Sequence, residues 1–174
     1  MMLTLQLVHG LMAHAQQQAW EPEKVDVSFS IRNAGSEVQG KFGQVSGQFV
    51  TDANTKLPVL IRGVAKANSI NTGIGLRDRH LQSRAYLNVE KFPDLSFQMV
   101  QVTADQLTFY IRIKGEEQLI KAPYRWRSSA GSGFFELSFP LNRRDFGVGG
   151  SSLTLSDDLM VNVQLTLKKA GNSK

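Results

Sequence analysis

In Arg77-Asp78-Arg79-His80, two guanidiniums, a carboxylate and an imidazole fall within four positions. These are groups that move protons and hold anions. Catalysis needs them to converge, and the spacing works against that. On a helix Asp78 and His80, two apart, point in different directions; Arg77 with Leu81, and Leu76 with His80, share a face instead. A Ser-His-Asp arrangement has to recruit His80, and the sequence has no G-x-S-x-G elbow. Once the leader described below is removed, His9 and His14 leave with it. No three-histidine metal site can then form, and there is no HExxH and no spaced set of carboxylates. We therefore expect no catalytic residues, no metal ligands and no cofactor. Arg77, Asp78 and His80 read as a structural brace, or as the mouth of a binding site. An enzyme acting on an enclosed amphiphile, with His80 or Arg77 taking part, stays as an alternative.

Two other stretches invite a chemical reading. Gly147-Val148-Gly149-Gly150 looks like a phosphate-cradling loop, but it does not sit between a strand and a helix of a βαβ unit, so it reads as a turn. Just before it, Arg143, Arg144 and Asp145 can pair with one another at the surface or bind an anionic head group. Surface pairing is the expectation.

The elements that must position these residues are strands. From Lys24 onward the chain mostly alternates with period two. Val25, Val27, Phe29 and Ile31 share one face, and Asn33 to Ser36 is a turn. Val38, Gly40 and Phe42 follow, then Gly43 interrupts and Val45, Gly47 and Phe49 restart one residue out of phase. Such a change at a glycine predicts a bulge or a sharp corner. Leu57, Val59, Ile61, Gly63 and Ala65 form the next face, and Leu95, Phe97 and Met99 another. Leu107, Phe109, Ile111 and Ile113 alternate before a turn at Gly115 to Gln118. The segment around Pro123 reads as an edge, a bulge or a short strand. Phe135, Leu137, Phe139 and Leu141, then Leu159 through Leu167, complete the pattern.

This predicts an all-β chain: a single antiparallel sandwich or closed barrel of about eight strands, closure being the arrangement that removes exposed edges. One segment, around residues 71–92, does not alternate. It predicts a helical or loop excursion, capped by Asn71 or Thr72, with Ile74, Leu81 and Leu87 turned inward. We expect one domain over residues 20–169 and a polar tail over 170–174.

The totals set limits. A chain of 174 residues with 41% hydrophobic composition can bury a core in one domain. The net charge of +5 favours anionic surfaces, yet the basic residues are scattered, so no nucleic-acid stripe is expected. Without cysteine there is no disulfide and no thiol chemistry. Residues 1–15 carry no Asp, Glu, Lys or Arg and end in Ala13-His14-Ala15, an A-x-A pattern. They predict a signal peptide cleaved after Ala15, with an ordinary amphipathic stretch as the alternative.

Taken in order, several motifs resemble the YceI-like family. They are F-x-I-R-N from Phe29, V-x-G-x-F from Val38, GQFVTD from Gly47, SINT from Ser69, RDRHL from Arg77, YLNVEKFP from Tyr86, LSF from Leu95, QLTFYIRIKG from Gln106 and RRDFGV from Arg143. The resemblance implies a lipocalin-like barrel, exported to the periplasm or secreted, that holds an isoprenoid lipid or quinone-like amphiphile without catalysis. It also implies that the SINT to FP segment lies against the barrel as a lid or brace. On this reading the cavity lining includes Phe29, Ile31, Phe42, Phe49, Ile61, Phe97, Met99, Phe109, Ile111, Phe135, Leu137 and Phe139. Parity groups these residues but does not say which face is the lumen. Transient contact with a membrane surface and a homodimer are further expectations. The competing reading is a structural or interaction barrel filled by its own side chains.

Overall fold

The computed structural model describes residues 16–171; the expected signal peptide lies outside them. Ten strands form one sheet: β1 (Gln17–Asn33), β2 (Ser36–Phe42), β3 (Val45–Asp52), β4 (Pro58–Lys66), β5 (Ile70–Asn71), β6 (Asp94–Val102), β7 (Gln106–Ile113), β8 (Glu116–Ser129), β9 (Ser132–Asn142) and β10 (Leu155–Lys169). Among the described residues one α-helix, α1 (Gly75–Gln82), and two 3-10 turns interrupt them. The order β10-β9-β8-β7-β6-β4-β3-β1 closes by pairing β1 with β10, giving an eight-stranded antiparallel barrel. β2 and β5 extend the wall beside β1.

Local chemistry sets the corners. Three hairpins turn on two residues, Ala34-Gly35, Lys114-Gly115 and Ala130-Gly131, all with positive φ. That is the geometry whose twist matches paired strands, and glycine in second place makes it cheap. The phase change at Gly43 is a corner: β2 ends at Phe42 and β3 restarts at Val45.

The structure corrects several sequence readings. β1 begins at Gln17, ahead of the first alternating residue. It does so because Gln17 to Trp20 pair with β3, and from Trp20 onward the strand also pairs with β10, a tertiary cause that leaves no periodic trace. A register shift between Val50 and Thr51 flips the start of β4, so Pro58 is buried and Val59 faces out. Pro123 sits at an exposed position inside the continuous strand β8, opposite Gln106. α1 starts at Gly75 and has no side-chain cap: Asn71 accepts from the Gly73 amide and Thr72 donates to Asp78. Ile74 is exposed, whereas Leu81 is half-buried and Leu87 buried.

The two ends of the barrel differ. At one end Trp20, Phe49, Trp126, Tyr124 and Phe135 interlock, with Trp20 and Trp126 edge to face at 5.1 Å and Phe49 against Trp126 at 4.6 Å. A Cβ on Gly133 would come within 2.3 Å of the Trp126 ring, so this position must lack a side chain. At the other end, residues 67–93 run from β4 to β6 and carry α1 across the opening.

Candidate functional site

Between the aromatic plug and the α1 end, the barrel encloses a cavity of about 270 Å³ with an almost wholly apolar lining. Inward faces of opposite strands build it. Val25, Val27, Phe29 and Ile31 of β1 lie opposite Leu165, Val163, Val161 and Leu159 of β10, so both strands present unbroken apolar walls. The Phe29 ring folds over Gly40 on the paired strand, where a Cβ would fall 2.4 Å from the ring. The volume lies just under the ~300–1,000 Å³ of small-molecule sites.

Of the residues singled out from sequence, Phe29, Ile31, Phe42, Phe49, Ile61, Phe97, Ile111, Phe135, Leu137 and Phe139 border the cavity. Phe109 and Met99 do not. Phe109 is fully buried behind Phe97, at 4.6 Å between ring centres, and Phe139, at 4.9 Å; these two rings occupy the wall in front of it. Met99 packs against the same core, next to a register shift in β6. Sequence reasoning passed over the β10 face and Val25 and Val27 as lining, although they carry the same alternation. Tyr86 and Arg143 also border the cavity and gave no periodic signal.

The polar groups gather at the α1 end. Arg77 borders the cavity, donating from Nε to Thr72 Oγ1 and from Nη2 to the Thr72 carbonyl, each at 2.7 Å. Asp78 accepts from the Thr72 amide at 2.8 Å and from its hydroxyl at 2.5 Å. Arg77 and Asp78 thus grip one residue from either side and tie α1 to the end of β5. His80 is exposed and packs its ring on Tyr86 at 4.8 Å.

Arg143 departs from the expected surface pair. It is 5% exposed and spends its guanidinium on the carbonyls of Ser156, Val148 and Gly150 and on Asp157 Oδ1. Its charge therefore organises residues 147–157. Nearby, Lys114 donates to the carbonyls of Ala85 and Gly147, joining the excursion to the same loop. Desolvation pulls its ammonium pKa below the usual lysine range.

Among the described residues no group of three or more His, Cys, Asp or Glu is placed to hold a metal ion. No described helix is long and apolar enough to cross a membrane. The geometry is that of a container: an apolar interior, an aromatic floor and polar groups at the rim.

Comparison with known proteins gives the same architecture. A sequence profile of the YceI-like domain matches residues 19–167. A UPF0312 protein of Yersinia pestis is 31% identical over 83 residues, which is 47% of this chain and 43% of the relative, so the match spans less than half of either protein. The Campylobacter jejuni YceI protein superposes with a TM-score of 0.71 at 25% identity, covering 79% of this chain and 87% of that one. A polyisoprenoid-binding domain from Saccharophagus degradans superposes with a TM-score of 0.70 at 13% identity, covering 88% and 98%. At that identity the likeness is one of fold.

Proposed function

The chain belongs to the YceI-like domain family, and on that premise we propose that it binds an isoprenoid lipid or a quinone-like amphiphile in the barrel, as a carrier or store in the periplasm. The observation that carries this reading is the cavity, a space walled by apolar side chains on an otherwise well-packed scaffold. Each buried methylene contributes ~0.8 kcal/mol, so a chain of a few isoprene units needs no polar contact to bind. Ordering the chain offsets part of that gain.

Arg77 is the group best placed to meet a polar head. It borders the cavity, and among the described residues its Nη1 makes no hydrogen bond. Lipid binding by the Saccharophagus domain supports the choice of ligand class.

The test is mass spectrometry of an organic extract of the protein, purified without detergent from its native host. A stoichiometric polyprenyl or quinone species is expected, and its head group identifies the cargo. Folded protein that yields no lipid favours the rival reading, an interaction barrel, for which the aromatic plug in one half is the specific support.

A further inference from the structure

The barrel wall has a break in it. β1 pairs with β3 from Gln17–Asp52 to Trp20–Phe49, and with β2 from Ser28–Lys41 to Asn33–Ser36. Both sets belong to one continuous register. Between them residues 21–27 face residues 42–48 with no paired positions, leaving a gap that at 3.4 Å per residue runs roughly 20 Å along the strands.

Each edge makes its backbone hydrogen bonds on the side away from the other. On β1, Pro22 has no amide proton to give, and a register shift between Pro22 and Lys24 bends the strand against β10. On the facing edge the corner turns its hydrogen bonds outward: the Gly43 amide donates to Ser69 and the Gln44 carbonyl accepts from Lys66. Each strand therefore keeps its bonds on the far side and leaves the near side open.

The cavity reaches both edges. Pro22, Val25 and Val27 line it from one side, and Phe42, Val45 and Gly47 from the other. Outside this apolar throat, Glu21, Glu23, Lys24, Lys41 and Gln44 are exposed. An apolar throat with a charged outer rim matches the chemistry of an apolar chain while the edges themselves stay solvated.

We propose that this slit is a second port of the cavity, through which the apolar chain of a bound amphiphile enters and leaves sideways while α1 stays in place. The proposal rests on the carrier reading. The excursion over the barrel end is tied down by Arg77, Asp78 and Lys114, whereas no backbone pair has to break to admit a chain between β1 and β3.

The experiment is a removable staple. Lys24→Cys and Gln44→Cys put thiols on exposed positions at opposite edges, and the chain has no other cysteine. The pair is bridged after folding with a disulfide-containing bismaleimide, and the bridge is confirmed by mass. Gln98→Cys with Tyr110→Cys, an exposed pair across the β6–β7 seam, receives the same bridge as a control. The probe is a dansyl-labelled farnesyl chain; its uptake, and its release to phosphatidylcholine vesicles, are followed by fluorescence. Bridging the slit is expected to slow both rates about tenfold without changing the bound stoichiometry, with reductant restoring them. The control bridge is expected to change neither. Unchanged rates in the bridged slit variant overturn the port and leave the α1 end as the route. Failure of the unbridged protein to take up any probe overturns the carrier reading itself, and the port with it.

Discussion

Arg143 shows how one side chain can set a whole loop. A buried guanidinium is tolerated only when its donors are used, and here three backbone carbonyls and Asp157 use them. Arg143→Met keeps the length and removes the donors, leaving the carbonyls of Ser156, Val148 and Gly150 without that partner. We expect a loss of about 2–3 kcal/mol, read as a lower midpoint in urea at unchanged slope. Arg143→Lys is expected to recover only part of it, because one ammonium cannot reproduce the planar fork that reaches four acceptors. A variant as stable as the parent would mean that water serves those carbonyls equally well. Because the charge is already spent inside the protein, the same substitution is expected to leave the head-group preference of a bound lipid unchanged.

Among the elements, the excursion over residues 67–93 depends most on a few polar bonds. α1 is short, uncapped by any side chain and has no buried residue. Its attachment comes from Thr72, gripped by Arg77 and Asp78, and from Leu81 and Leu87 packing beneath. Asp78→Ala removes two bonds to Thr72. Local opening of the segment is expected to become about tenfold more frequent, seen as faster tryptic cleavage at Arg79 and Arg84 while the global midpoint moves little. Equal cleavage rates would show that the apolar contacts alone hold the excursion. The sequence made this element visible by negation, since residues 71–92 are where the alternation stops. It also located the corner at Gly43 and the parity of β1, β9 and β10, because one-sided burial writes itself into every second residue. What it hid were consequences of pairing. Val59 changes face because it is the extra residue of a register shift between β3 and β4, Pro123 is harmless because it lies just beyond the end of the β8–β9 pairing at Tyr124, and the slit depends on which neighbour each backbone group chooses. None of these alters residue type. Arg143 was hidden for another reason: a charged pair before a glycine loop reads as surface until its acceptors are known.

For the whole molecule, the choice between a filled barrel and an open one is made by height along the axis. The floor is filled by Trp20, Phe49, Trp126 and Tyr124, while the half toward α1 is walled but not filled. Stability and capacity should therefore separate under mutation. Trp126→Ala removes a ring packed on Trp20 and Phe49 and a hydrogen bond to the Lys56 carbonyl. It is expected to cost about 3 kcal/mol, and protein that remains folded is expected to keep its lipid load. Val163→Trp points the other way. Val163 faces the cavity from the middle of β10, opposite Val27, so the indole grows into free volume rather than into packed neighbours. The usual overpacking cost of about 1–3 kcal/mol is then mostly avoided, and the melting temperature is expected to hold while bound lipid falls. Thermal melts paired with lipid quantification of the same samples check both. If Val163→Trp keeps a full load, the chain does not occupy the middle of the barrel. If Trp126→Ala empties the protein at unchanged stability, the floor is part of the binding site. The barrel would then be one continuous container whose plug is itself a contact surface for the ligand.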